Sequence, residues 1–198
     1  MCTDWYTVCM DDNRSRLLAK ALDLFTQRGY DAVGVQEVAE AAGVKKPTLY
    51  HYFGSKSGLL KVILEENYAG FITDLRVAST YHRDVVTTLV ALTKTYFQFA
   101  QEHRQFYRFQ LSTWFSPPES EAFRAIAAIN QEQQDLLEAF FRRAAQDHGN
   151  MRGRERMYAA TFLGMINTYI SLWLNGSVVL DDELTGKVVH QFMHGIFS

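Results

Sequence analysis

The stretch from Val35 to Phe53, VQEVAEAAGVKKPTLYHYF, constrains the fold of this chain more than any other part of it. Apolar residues at the start of the stretch repeat with the spacing of one helical face: Val35, Val38, Ala39 and Ala42. Gly43 then predicts the end of that helix, because glycine enters a left-handed turn without steric cost. Pro47 suits the first turn of a second helix, where its missing N–H is not needed. The pattern predicts two short helices joined by a glycine turn.

The second of these helices combines an apolar side with cationic and aromatic side chains. Leu49 and Phe53 lie four residues apart and are expected to face inward. The other positions carry groups that bind phosphates or base edges: Lys45, Lys46, Thr48, Tyr50, His51 and Tyr52. The spacing fits a helix-turn-helix that reads DNA, and it also fits an ordinary αα-hairpin with a solvated basic face.

Residues 14 to 64 resemble the DNA-binding domain of the TetR family of transcriptional regulators. The match is long and ordered, and it includes these positions: Phe25, Arg28-Gly29-Tyr30, Ala39, Gly43-Val44, Thr48-Leu49-Tyr50, Tyr52-Phe53 and Ser55-Lys56. The rest of the chain resembles the family only in length and helical character. The resemblance implies an all-α protein of about nine helices, with a three-helix DNA-binding head and a helical body.

The chain is expected to divide into a tail at residues 1–12, a helix-turn-helix DNA-binding head at 13–55, and a ligand-binding and dimerisation body at 56–198. The first helix is predicted from about Arg14 to Arg28, and Ser55 is a plausible N-cap for the fourth. Further helices are predicted at about 82–102, 104–115, 119–146, 152–175 and 181–197.

Basic residues are concentrated in the part of the chain that resembles the head. The formal net charge of −2 does not by itself suggest a DNA-binding protein. From Arg14 to Lys61, however, eight Lys or Arg stand against four Asp or Glu, whereas the remaining residues include twelve basic and eighteen acidic ones. A segment of net charge +4 in an otherwise acidic chain is the electrostatic pattern of a protein that contacts phosphates.

The resemblance implies a set of DNA contacts: Gln36, Lys45, Lys46, Pro47, Thr48, Tyr50, His51, Tyr52 and Lys56. Lys46 is the best candidate for a base contact, since lysine suits the O6 and N7 acceptors of guanine. Lys56 matches a position that usually binds phosphate, and Tyr52 either contacts DNA or packs against the first helix. Gly34 departs from the family, which commonly has Thr or Ser there, so we expect one phosphate contact to be missing.

The resemblance implies that the body senses a small molecule, whose identity is unknown and which we expect to be apolar or aromatic. Candidate ligand-binding residues are Tyr68, Phe71, Phe97, Phe106, Trp114, Phe162, Asn167 and Tyr169. They combine an aromatic surplus with a few polar groups, which is the usual form of a ligand site. A well-packed aromatic core is an equally good interpretation of any single one of these residues.

Residues 152–197 are the expected homodimer surface, because their two helices carry surplus apolar residues: Phe162, Met165, Ile166, Tyr169, Trp173, Phe192 and Ile196. A two-fold dimer would read double-stranded DNA at a palindromic operator. The family favours a repressor released by its effector; an activator, or a DNA-binding protein without a ligand, is the alternative. Met157–Leu174 is marginal in length for a membrane span and is better interpreted as a buried or dimer-forming helix.

Other functional classes find little support in the sequence. It contains no glycine-rich phosphate loop, nucleophile elbow or metal-ligand cluster, so we expect neither an enzyme nor a cofactor. His190 and His194 have a spacing that suits a metal, but interface or surface histidines are the better interpretation. Cys2 and Cys9 exclude a disulfide framework and fit a cytoplasmic protein, and a redox role for them stays open.

Overall fold

The computed structural model describes the backbone of residues 3–195 and the side chains of residues 12–195. Cys2 and the side chain of Cys9 lie outside the described residues, as do Ile196 and Phe197 of the predicted last helix. Within residues 3–195 all regular structure is helical, which confirms the all-α prediction.

Nine α-helices and one short 3-10 helix make up this described part of the chain. They are α1 Thr3–Arg28, α2 Val35–Ala41, α3 Lys46–Phe53, α4 Lys56–Ala78, α5 Val85–Glu102, α6 Arg104–Thr113, α7 Glu121–Asp147, the 3-10 helix Gly149–Met151, α8 Glu155–Leu174 and α9 Asp182–His194. The first helix begins well before the predicted start near Arg14, so residues 3–12 of the expected tail continue α1. No glycine or proline interrupts that segment, and helix propagation needs only one new hydrogen bond per residue.

Two compact units divide the chain. The first contains the residues up to Tyr68 together with Gln105–Ala127, and the second contains Ala69–Arg104 together with the residues from Ala128 onward. The first unit is therefore larger than the predicted head, because it includes nearly all of α6 and the start of α7. The functional division into a head at 13–55 and a body at 56–198 stays a prediction.

The core of the first unit forms where α1, α2 and α3 pack against one another. Ala39 is fully buried at the crossing of the short helices, as its small side chain predicts. The larger buried side chains of these three helices include Leu17, Phe25, Val38, Leu49 and Phe53. Burying each Leu or Phe stabilises the fold by about 1.5–3 kcal/mol, which compensates for the short length of α2 and α3.

The core of the second unit forms where α5, α8 and α9 pack together. Its fully buried residues include Leu89, Leu92, Tyr96, Phe162, Ile166, Ile170 and Val188. Asp181 caps α9 by accepting a hydrogen bond from the Leu184 N–H at 2.8 Å.

Candidate DNA-binding interface

The turn between α2 and α3 has the hydrogen-bond pattern of a Schellman motif. The Val44 N–H donates to the Ala39 carbonyl at 2.9 Å, and the Gly43 N–H donates to the Glu40 carbonyl at 3.0 Å. Gly43 has a φ of +67°, and a Cβ there would lie 2.7 Å from a guanidinium nitrogen of Arg16. That guanidinium donates to the carbonyl of Ala42. The backbone conformation therefore favours glycine, whereas the end of the flexible Arg16 side chain, which closes the turn, can move away from an added Cβ.

The turn directs α3 so that one side is buried and the other faces solvent. Leu49 and Phe53 are buried, as their spacing predicts. The predicted contact residues Lys45, Lys46, Pro47, Tyr50 and His51 are all exposed, and Thr48 and Tyr52 are half-buried. Gln36 is exposed on α2. The structure thus brings most of the predicted DNA contacts onto one short helix and the residue that precedes it.

The acidic side chains of α2 are engaged away from the lysines that begin α3. Glu37 pairs with Arg28 at the end of α1, and Glu40 accepts a hydrogen bond from Gln36 at 2.7 Å. Lys45 and Lys46 form no ion pair with any residue that the structure describes. Their charges therefore remain available for phosphates or base edges.

Both short helices begin without a side-chain cap. Gly34 and Lys45 occupy the N-cap positions of α2 and α3 in extended conformations, and neither side chain accepts a capping hydrogen bond. Gly34 has no side chain to offer, as the sequence indicates. The first N–H groups of each helix are consequently left to solvent or to an anion such as a phosphate.

Lys56 has a more enclosed position than its predicted role suggests. Its ammonium lies 4.1 Å from the ring centroid of Tyr30, and it is half-buried. Burial lowers the pKa of Lys56, and the nearby carboxylates of Asp31 and Glu121 oppose that shift. The cation–π contact and a phosphate therefore compete for one ammonium group.

Tyr30 links the predicted head to the start of α7 inside the first unit. Its hydroxyl donates a hydrogen bond to Glu121 at 2.5 Å, and burial together with this bond raises the pKa of the phenol well above its ordinary value. The Gln105 side chain also donates to Asp23 at 2.9 Å. These polar contacts between distant parts of the sequence have no local pattern that sequence analysis could detect.

The predicted ligand-binding residues are divided between the two units. In the first unit Tyr68 packs edge-on against Phe106 at 5.0 Å between ring centroids. In the second unit Phe71 stacks on Phe99 at 4.2 Å, and Phe162 contacts Phe192 at 5.2 Å. The remaining candidates differ in burial: Phe97 is buried, whereas Trp114, Asn167 and Tyr169 are half-buried.

Gln133 is a polar residue of α7 that the sequence analysis missed. Its side chain is only 1% exposed, and its Nε2 has no hydrogen-bond partner among the described residues. A buried amide donor without a partner lowers stability, and such groups are rare in native proteins. The neighbouring Gln134, by contrast, donates to Glu138 at 3.0 Å.

From Met157 onward, the exposed side of α8 carries no charge. Between Met157 and Leu174 the sequence contains no Lys, Arg, Asp or Glu, and the solvent-facing residues are Met157, Ala160, Thr161, Gly164, Thr168 and Leu172. We call these six residues the uncharged face. Phe162 and Ile166, expected at a dimer surface, are instead fully buried within the second unit, because the inward side of α8 packs on α5 and α9.

A Schellman turn, a buried apolar side on α3 and exposed unpaired lysines define a DNA-binding protein of the helix-turn-helix class. Comparison with known proteins identifies the family. The family model described as "Bacterial regulatory proteins, tetR family" matches residues 17–63. Residues 17–63 are a DNA-binding domain of the TetR family, and the chain is a DNA-binding regulator of transcription that is similar to TetR-family regulators over most of its length.

Three similar proteins illustrate the range of this likeness. The transcriptional activator FasR of Mycolicibacterium smegmatis is 28% identical over 189 residues, covering 95% of this chain and 84% of FasR. The transcriptional repressor ComR of Escherichia coli is 43% identical over 53 residues, which is 27% of this chain and 25% of ComR. The crystal structure of FadR from Bacillus subtilis in complex with stearoyl-CoA has a TM-score of 0.73 at 19% identity, covering 92% of this chain and 98% of FadR. This last likeness establishes the fold.

α8 contains Met157–Leu174, the apolar stretch whose length is marginal for a membrane span. None of the helices between residues 3 and 195 is long and apolar enough to cross a membrane.

Proposed function

We propose that this protein is a dimeric repressor that binds a palindromic operator through α3 and is released by a small-molecule effector. The observation that carries the DNA-binding part is the unpaired, exposed pair Lys45 and Lys46 at the start of α3. Lys46 lies 5.7 Å from the Tyr50 ring centroid, so both side chains occupy the same side of the helix. In a helix-turn-helix the first residues of the second helix approach the base edges.

We infer that the uncharged face of α8 forms the dimer contact, together with α9. A Cβ added at Gly164 would meet no atom within 4 Å, so this position is open to a partner. An exposed helix without charges over 18 residues is unusual for a solvated surface, whereas depletion of charge is typical of interface cores. A second copy in two-fold symmetry would place the same face against itself.

The effector that we propose is apolar or aromatic with at least one hydrogen-bond acceptor. Three aromatic side chains predicted to bind it, Phe71, Phe97 and Phe162, are buried in the second unit, and the Gln133 amide of the same unit supplies a buried donor that lacks a partner among the described residues. FadR, which shares the fold, is described in complex with stearoyl-CoA, an apolar chain on a polar carrier. An acyl chain with a carbonyl group is therefore one reasonable chemical class to test.

The hydrogen bond between Tyr30 and Glu121 is our candidate connection between effector binding and DNA release. It joins the turn after α1 to the start of α7, and the cation–π contact with Lys56 adjoins it. A shift of α7 would break this bond and change the freedom of Lys56. The variant Tyr30→Phe should still bind the operator but need a different effector concentration for release.

An activator is the second candidate function. FasR, the relative whose match covers 95% of this chain, is named a transcriptional activator, whereas ComR, whose match covers 27% of this chain, is named a repressor. The head alone does not set the direction of regulation, because the same contacts hold either kind of protein on DNA.

Selection of bound duplexes from a random pool tests the proposal directly. A repressor of the proposed kind selects a two-fold symmetric sequence with half-sites separated by about one helical turn, roughly 34–36 Å, or by a related spacing. Transcription in vitro from a promoter that carries the selected site then separates repression from activation. A selected site without two-fold symmetry would contradict the proposal that a two-fold symmetric dimer binds the operator.

A further inference from the structure

The second unit has an arginine-rich end that the proposed function does not use. It consists of residues 79–84 between α4 and α5, the last turns of α7, and the connection from there into the first turn of α8. Six of the twelve Lys or Arg outside residues 14–61 lie here, and all six are exposed arginines: Arg83, Arg142, Arg143, Arg152, Arg154 and Arg156. We call these six residues the arginine cluster. Only three acids accompany them: Asp84, Asp147 and Glu155.

Two of the arginines fasten the two connections together. Arg83 forms a two-point ion pair with Asp147, at 2.9 Å from Nη2 to Oδ1 and 3.4 Å from Nε to Oδ2. Arg143 donates from Nη2 to the carbonyl of Ser79 at 3.1 Å. The other arginines are therefore displayed on an ordered frame and not on two independent loops.

The backbone of this frame is strained at Arg83. With a φ of +63°, Arg83 is the one non-glycine residue of the described chain that has positive φ. This conformation is unfavourable for a long side chain and tends to occur where function requires it. Its ion pair with Asp147 offsets the strain, and the hydrogen bond from Arg83 is the main reason that the pKa of Asp147 is lowered.

The remaining charge of the cluster is not neutralised. Arg142, Arg154 and Arg156 form no ion pair and donate no side-chain hydrogen bond within the described residues. Two acids lie nearby: Glu138, one helical turn before Arg142, and Glu155, whose carboxylate accepts a hydrogen bond from the Gly153 N–H at 3.1 Å. Backbone N–H groups, followed by Arg142, lower the pKa of Glu155, so it stays charged, and the two acids do not balance the three arginines.

The start of α8 is an unfavourable place for two of these arginines. Arg154 precedes the helix and Arg156 lies in its first turn, where the unpaired N–H groups already carry partial positive charge. Glu155 between them supplies the acidic residue that is usual at this position, but the two arginines outnumber it. A bound anion would relieve the repulsion among the guanidinium groups and the helix end.

The residue type and the charge of the surrounding chain define which anion fits. The cluster contains arginine without lysine, and the planar guanidinium binds phosphate oxygens through two parallel hydrogen bonds. Outside residues 14–61 and the cluster, the chain has only six basic against fifteen acidic residues. A long polyanion such as duplex DNA would meet repulsion beyond the cluster, whereas a compact one would not.

We propose that Arg142, Arg154 and Arg156 bind a compact polyphosphate group, either as an inorganic polyphosphate or as the phosphate chain of a nucleotide. This site lies within the second unit and does not depend on the repressor function proposed above.

Isothermal titration of the full chain with tripolyphosphate and with ATP at moderate salt tests the site. We expect saturable binding that weakens at least about tenfold when Arg142→Gln, Arg154→Gln and Arg156→Gln are combined, because the variant loses the charge-assisted hydrogen bonds of three guanidinium groups. A matched control combines Lys94→Gln, Arg124→Gln and Lys187→Gln, which removes the same charge from other exposed positions and should retain the affinity. Tighter binding of ATP would show that the nucleoside is also recognised, and equal binding would show that the phosphates suffice.

Three results would overturn the site: no binding of either probe, equal weakening in the matched control, or displacement of both probes from the cluster by a short duplex of random sequence. If the glutamine variant does not fold, the triple lysine variant Arg142→Lys, Arg154→Lys and Arg156→Lys keeps the charge and removes the forked geometry. We expect it to bind with intermediate affinity, and unchanged affinity would contradict recognition by guanidinium groups.

Discussion

The two compact units expose opposite chemistry on the helices through which we propose that they act. In the first unit, α3 presents lysines, an aromatic hydroxyl and an imidazole while its apolar side is buried. In the second unit, α8 presents a face with no charged side chain at all. A surface that binds a polyanion needs cationic side chains, because they replace the counterions that surround its phosphates. A surface that binds its own copy gains from having no charged side chains, because no charge has to be desolvated. The charge of each exposed helix surface therefore indicates which kind of partner we expect it to bind.

We expect the largest effect from a charged side chain placed on the uncharged face of α8, because it should disrupt the proposed dimer. Thr161→Arg would bring two arginines together across a two-fold axis, where repulsion and desolvation cost several kcal/mol. We expect a monomer at micromolar concentration in light scattering, and at least about a 100-fold loss of affinity for the two-half-site operator. Gln98→Arg on the exposed side of α5 is the matched control and should leave the dimer intact. A dimeric Thr161→Arg protein would place the contact elsewhere.

Removing a cation from α3 should have the next largest effect. Lys46→Ala is expected to weaken binding to the selected operator by about 1–3 kcal/mol and to affect unrelated duplexes less, because a base contact carries the sequence preference. Fluorescence anisotropy with both duplexes measures this difference. Lys61→Ala removes the same charge from an exposed position on α4 and is the control. Equal weakening on both duplexes would make Lys46 a phosphate contact.

Features that depend on neighbouring residues could be predicted from the sequence, whereas features that depend on contacts between distant residues could not. The α2–α3 hairpin was predicted almost completely, because Gly43, Pro47 and the Leu49–Phe53 spacing each determine the structure of residues only a few positions away. The inward side of α8 was not predicted, since a uniformly apolar helix gives no period from which to tell core from interface. The Tyr30–Glu121 bond and the arginine cluster join distant segments, and no local spacing encodes them.

A third test addresses the buried chemistry of the second unit. Gln133→Leu keeps the side-chain size and removes a buried donor that has no partner among the described residues, so we expect the ligand-free protein to gain about 1 kcal/mol. Thermal denaturation should then show a melting temperature about 2–4 °C higher. Gln134→Leu is the adjacent control and should give no gain, because Gln134 donates to Glu138 and to the Arg156 carbonyl. A destabilised Gln133→Leu protein would mean that the amide already has a partner, such as a buried water.

We expect the smallest effect from a substitution at Gly34, which tests whether a phosphate contact is missing at the start of α2. Gly34 has extended φ and ψ angles, and an added Cβ would meet no atom within 4 Å, so Gly34→Ser fits without rearrangement. The hydroxyl can cap α2, which stabilises the protein by only a few tenths of a kcal/mol, and it can also donate to a phosphate. We expect operator affinity to rise a few-fold and the salt dependence to steepen by about one unit of slope. Gly34→Ala supplies the Cβ without the hydroxyl and should show neither change, so an equal rise in both variants would assign the gain to backbone restriction and not to a new phosphate contact.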